Sequence, residues 1–151
     1  MLDRTIADLR KVAHNLMPEA LVKFGLADAL KDFCDSIQTS SGVKVIYQQQ
    51  GEHRKLPNTP EVFTYRIIQE LVNNAIKHAN ANQIIVQLNI NTHKLSITVE
   101  DDGIGFDINK MANSKGAGMD NIKYRVQYFN GTLDIVTSPG NGTSVNIELM
   151  V

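Results

Sequence analysis

Apolar and polar residues follow two rhythms along this chain of 151 residues, and the rhythm changes midway. Leu2, Ile6, Leu9, Ala13 and Leu16 recur at alternating steps of four and three, which predicts a helix with a narrow, coiled-coil-like seam. Pro18 ends or kinks it. After Gly25, the positions Leu26, Leu30, Phe33 and Ile37 predict a second helix that closes near "SSG" at 40–42. "VKVIYQQ" at 43–49 then reads as a strand. "NTP" at 58–60 predicts the start of a long helix, with Thr59 as its cap and Pro60 in its first turn, ending near His78.

Beyond that helix the period falls to two. Ile84, Val86, Leu88 and Ile90 alternate with polar residues, as do Leu95, Ile97 and Val99, and again Val145, Ile147, Leu149 and Val151. Such alternation belongs to sheets with one buried face. "NTHK" at 91–94 predicts a hairpin. Met119, Ile122, Val126 and Phe129 predict one more helix, before a strand from about Gly131 to Thr137 and a tight turn at "SPGNG", 138–142. The sum is an α/β chain: a two-layer sandwich of a mixed, mostly antiparallel sheet with helices on one face, preceded by a helical segment. The expected division is 1–40 and 41–151.

The long helix carries an unusual wet face. In "QELVNNAIKHA" (69–79), Glu70, Asn73, Asn74, Lys77 and His78 fall within an arc of roughly 140° at the helical period, and Ile68, Leu71, Val72, Ala75, Ile76 and Ala79 fill the opposite arc. Solvated helix faces favour Glu and Lys, and side-chain amides help a helix little. Two adjacent mid-helix asparagines therefore need another reason.

Composition narrows the class without naming a function. The hydrophobic fraction of 42% and charged fraction of 21% are those of a soluble globular protein. A formal net charge of −1 supplies no basic field for nucleic acid or an anionic membrane surface. No apolar run approaches the roughly 20 residues of a membrane span, and the N-terminus does not read as a secretory signal. The single Cys34 excludes an intrachain disulfide and a multi-cysteine zinc site, and is expected in the core. A reducing, cytoplasmic setting fits these features.

Three glycine-bearing stretches follow the amide-bearing helix in sequence. "VEDDGIGF" (99–106) ends a strand in two acids and two spaced glycines, where an Asp can accept a hydrogen bond from an exocyclic amine. "KGAGMDNIKYR" (115–125) sets two glycines before a helix, a suitable place for anionic phosphates. "SPGNGTSV" (138–145) opens the last strand. Each alone is also an ordinary turn or helix start. In this order they resemble the GHKL superfamily of ATP-binding domains. "ELVNNAIKHA" looks like the N box of its histidine kinases, and "DDGIGF" and "GAGM" look like their G boxes. The resemblance covers residues 43–151. "DLRKVAHNLMPEALVKFGLADALKDF" is similar to the end of the dimerisation hairpin in sensor kinases of the nitrate-sensor type, and the short spacing from 106 to 115 is similar to their short ATP lid.

The resemblance implies the Bergerat ATP-binding fold, ATP and Mg²⁺ as ligands, and roles for particular residues. Asn74 is the implied Mg²⁺ ligand, and Glu70 orients or accepts a proton from an attacking imidazole. Lys77 reaches phosphate and His78 contacts the nucleotide. Asp101 accepts from the adenine amino group, while Asp102 faces solvent or caps the turn. Gly103, Ile104 and Gly105 allow close approach of the base. Gly116, Gly118 and Met119 form the lid end above the phosphates, and Thr143 hydrogen-bonds Asp101 or a water beneath the adenine. Arg125 is assigned to a structural ion pair or a phosphate contact.

The implied partners are the phosphoacceptor helix of the same or a partner protomer and a response regulator, with a homodimer in the full-length protein. Neither nucleic acid nor membrane contact is expected of this fragment. The family's acceptor motif, of the "ELHD" kind, does not occur, and His14 in "AHNLMP" lacks the following acid. The chain is therefore expected to begin after the first dimerisation helix and not to phosphorylate itself. A serine kinase of the anti-sigma-factor type and a non-catalytic nucleotide-binding module are the alternatives.

Overall fold

The computed structural model describes residues 18–52, 54–107 and 117–151. The expected N-terminal helix with its seam, His14, Gly116 and most of the 106–115 spacing lie outside those residues. In chain order the elements are α1 (Glu19–Ser41), β1 (Lys44–Gly51), α2 (Asn58–His78), β2 (Gln83–Ile90), β3 (Lys94–Asp101), α3 (Ala117–Tyr128), β4 (Thr132–Thr137) and β5 (Thr143–Met150). The five strands form one sheet in the order β1-β2-β3-β5-β4, with β1 parallel to β2 and the remaining pairs antiparallel.

Period-two alternation decides the register. Val86, Val99, Val145 and Ile135 lie in one cross-strand row of the buried face, as do Leu88, Ile97, Ile147 and Leu133 in another. A slip of one residue would turn every such side chain out to water. The helices cover this face: Ile67, Ile68 and Val72 of α2 and Ile122 of α3 are fully buried against it. The other face carries a polar network. Gln87 donates to Gln48 at 2.9 Å, Thr98 to Asn146 at 3.1 Å, and Lys94 pairs with Glu148 at 2.9 Å.

Two local readings change. Helix α2 starts at Asn58 after Pro57 with no side-chain cap, so Thr59 is inside the helix instead of capping it. The Pro57 carbonyl accepts the Glu61 N–H at 3.2 Å and serves the first turn directly. Helix α1 begins at Glu19 and runs through a break at Gly25 (φ 80°, ψ 174°), a conformation that suits glycine. Its Leu21, Leu26, Ala29, Leu30 and Cys34 share the core with the sheet. Burial, and then the neighbouring Asp35 charge, push the Cys34 thiol up to about 12, so it behaves as a small apolar side chain.

Candidate functional site

The end of α2, the loop after β3 and the turn before β5 meet at one end of the sheet. Register brings them there: Asp101, at the end of β3, pairs with Ile84 on one side and Thr143 on the other. The loop leaving Asp101 is then clamped between the end of α2 and the β4–β5 turn. Ile104 N–H donates to the Ala79 carbonyl at 2.8 Å, and Gly140 N–H donates to the Ile104 carbonyl at 2.6 Å.

Glycines make this clamp possible. A Cβ on Gly103 would stand 2.2 Å from the Ala79 carbonyl oxygen. One on Gly105 (φ +63°) would stand 2.0 Å from that of Ser138, and one on Gly142 (φ +70°) 2.2 Å from that of Asp101. Gly103 and Gly105 were expected to admit a flat base. Their missing side chains are used first by the protein's own backbone, which packs helix end, loop and turn into one corner.

Adjacent acids in this corner take opposite roles. Asp101 is half-buried, and burial raises its carboxyl above the ordinary value. Backbone N–H groups of Gly103 (2.9 Å) and Thr143 offset part of that rise and hold the carboxylate in place. Asp102 is exposed and accepts the Asn82 and Gln83 N–H groups at 2.8 and 3.0 Å. Those bonds depress its pKa and cap the start of β2, as expected for a turn-capping acid.

Thr143 bonds Asp101, as expected of it, through its backbone. Its hydroxyl pairs at 2.9 Å with the Thr137 hydroxyl. Thr137 is the hub that sequence reasoning missed. Its hydroxyl also accepts the Phe106 N–H at 3.1 Å and bonds the Gly142 carbonyl at 3.1 Å, tying β4 to the loop. The available signal was a hydroxyl residue directly before "SPGNG".

Glu70, Asn73 and Asn74 are half-buried on α2, while Lys77 and His78 are exposed in its last turn. Cations there also suit the negative end of the helix dipole. Helix α3 packs against α2. Phe63, near the start of α2, meets Tyr128 and Phe129, at and just beyond the end of α3, with ring centroids 5.1 and 5.3 Å apart. Farther along, the Arg125 guanidinium feels the Glu70 charge. Gly118 lies in the first turn of α3 beside Met119, which is half-buried and packed against the core. Ile104 is 55% exposed, an apolar surface beside Asp101. Gly116 lies outside the described residues.

The donor set suits Mg²⁺. Among the described residues no three His, Cys, Asp or Glu side chains form a metal-binding group. An ion here would draw on the Asn74 carbonyl, phosphate oxygens and water, as Mg²⁺ prefers.

The fold and this corner define a nucleotide-binding class. A family described as histidine kinase-, DNA gyrase B- and HSP90-like ATPase matches residues 59–151, and the chain belongs to it. The chain is 28% identical over 152 residues to the signal transduction histidine-protein kinase/phosphatase DegS of Brevibacillus brevis, covering 100% of this chain and 39% of that protein. It is 28% identical over 151 residues to the oxygen sensor histidine kinase NreB of Staphylococcus carnosus, covering 100% of this chain and 44% of that protein. It thus spans less than half the length of these curated relatives. Among solved structures, the histidine kinase domain of the blue-light activated histidine kinase EL346 from Erythrobacter litoralis superposes with a TM-score of 0.67 at 25% identity, over 83% of this chain and 60% of that one.

Proposed function

We propose that this chain is the catalytic and ATP-binding portion of a sensor histidine kinase. It holds Mg-ATP and transfers the γ-phosphoryl group to a histidine on the phosphoacceptor helix of its own or a partner protomer. An aspartate of a response regulator receives the group next. Residues 1–40 are the end of the dimerisation hairpin and residues 41–151 the catalytic domain, acting in the cytoplasm within a homodimer. Similarity to two sensor histidine kinases along the whole chain, hairpin-like prefix included, favours this over a serine kinase.

The observation that carries the reading is the shared face of α2: Glu70 and Asn74, one turn apart and half-buried, lie on the helix whose end anchors the Asp101 loop. Asp101 recognises the adenine amino group, Asn74 supplies an oxygen to Mg²⁺, and Lys77 neutralises phosphate charge. When bound there, Mg²⁺ would offset part of the phosphate charge. Glu70 accepts the proton of the attacking imidazole. Phosphoryl transfer depends mainly on positioning and charge neutralisation, so this domain needs no nucleophile of its own.

The test supplies the nucleophile. Incubation with γ-labelled Mg-ATP and a separately purified dimerisation hairpin bearing its histidine should give acid-labile label on the hairpin and none on this chain. Glu70→Gln should slow that transfer by about 100-fold or more with nucleotide affinity retained. Label on a serine substrate would instead support the anti-sigma type, and binding without transfer to either would make the chain a regulatory module. Acid-labile label on the chain itself, lost in His14→Ala, would make His14 the acceptor.

A further inference from the structure

Helix α2 buries an acid that has no part in its nucleotide face. Glu61, in its first turn, is only 6% exposed and lines a cleft of about 400 Å³ beside the Gly25 break of α1. Among the described residues its carboxylate makes no hydrogen bond and no ion pair. The Lys55 charge is near enough to act on it, opposing the rise that burial imposes. Other cations of the cleft are engaged. Arg54 donates to the Asn91 and Thr92 carbonyls, and Lys23 pairs with Glu19 at 3.7 Å. Lys55 is exposed and has no such partner among the described residues. Leu21, Leu26, Leu56 and Ile90 form a buried apolar wall, with Val22 and Phe24 largely exposed beside it. A Cβ on Gly25 would meet nothing within 4 Å, so space remains at the break itself.

We propose that this cleft is a second ligand site, separate from the Asp101 corner, and that it takes a small apolar α-amino acid. The ligand's ammonium meets the Glu61 carboxylate, its carboxylate meets the Lys55 ammonium, and its side chain lies against Leu21, Leu26 and Leu56. A carboxylate withdrawn from water without a partner is costly, and a cation brought to it removes much of that cost. Glu61 alone would accept any amine. Lys55 beside it repels a bare amine, whereas a zwitterion offers each charge its opposite. Burial of the ligand's side chain against the apolar wall supplies the hydrophobic share of the affinity. The volume lies toward the lower end of the roughly 300–1,000 Å³ usual for ligand pockets, which suits a molecule of the size of leucine or phenylalanine. A triphosphate would set more negative charge against Glu61, so the cleft takes no part in holding ATP. This site does not depend on the kinase reading.

The test is calorimetry on the full chain with L-leucine and L-phenylalanine in the absence of nucleotide. At least one should bind saturably, and glycine, which lacks the apolar group, should not. Acetylating the leucine nitrogen removes the ammonium, and Glu61→Gln removes its anionic partner; each should weaken binding by about tenfold or more. Lys55→Gln should weaken leucine by only about threefold, since that side chain is exposed, and should leave leucinamide unaffected. Phe24→Ser on the exposed rim should also cost about threefold. The ligand analogues and Phe24→Ser carry the test even if Glu61→Gln does not fold. In nitrogen-15-labelled chain, leucine should shift the Gly25 and Leu56 amide resonances and leave those of Gly103 and Gly105 in place. Failure of both amino acids to bind would overturn the proposal, as would equal leucine affinity in Glu61→Gln or shifts confined to the Gly103–Gly105 loop. A fall in ADP affinity in Glu61→Gln would overturn the separateness of the two sites.

Discussion

Two regions of this molecule compete for attention as the nucleotide site, and the open cleft is the less convincing. A cleft of about 400 Å³ opens between the Gly25 break of α1 and the segment before α2, lined by Leu21, Phe24, Leu26, Leu56, Arg54 and Glu61 among others. Its arginine serves local structure. Arg54 donates to the Asn91 and Thr92 carbonyls at 2.8 and 2.9 Å and pairs with Glu52 at 3.3 Å. Glu61 is only 6% exposed, its carboxyl raised by burial. The Asp101 corner at the other end of the sheet gathers an oriented carboxylate and three glycines pressed against backbone. Converging polar groups with fixed directions make a better candidate for nucleotide binding than empty volume does.

The strongest way to break the comparison is to damage the clamp. Gly105→Ala places a Cβ against the Ser138 carbonyl at a positive φ, and should lower stability on the order of 3 kcal/mol in urea denaturation. Gly140→Ala in the neighbouring turn has φ +82° but meets nothing within 4 Å, so the conformational cost of about 1 kcal/mol should stand alone. Equal losses would mean that the corner is not interlocked.

Asp101→Asn should separate function from folding. The loss of ATP affinity should be about 1–3 kcal/mol by calorimetry, from a hydrogen bond to adenine removed or reversed. Stability should move the other way. Because burial raises the Asp101 carboxyl, the native state keeps this proton to higher pH than the unfolded chain does. Stability from this group is therefore lost as pH rises from the unfolded to the folded value. Asparagine avoids that loss, so the variant should gain relative stability above this window and not below it. Thermal melts across pH check the sign.

Asn74→Ala should weaken Mg²⁺-dependent ATP binding by about 1 kcal/mol and leave metal-free ADP binding nearly untouched. Equal loss of both would assign Asn74 to structure. The smallest effect belongs to the cleft. Val22 and Phe24 are 62% and 60% exposed beside it, and Phe24→Ser should leave nucleotide affinity unchanged. A clear loss would move attention from the corner to the cleft.

Alternation along Ile84–Ile90, Leu95–Val99 and Val145–Leu149 determined three strands and their inward faces by itself, because a half-buried strand must alternate. Helical spacing likewise separated the core side of α2 from the side with Glu70 and Asn74, and the ordered motifs pointed to the nucleotide-binding family. These are local properties of a regular backbone. Tertiary structure alone decided what lies across a gap: Ala79 against Gly103, Thr137 beneath the loop, and Phe63 against Tyr128 and Phe129. Such pairings depend on how separate elements pack and turn, and sequence spacing carries no distance between them.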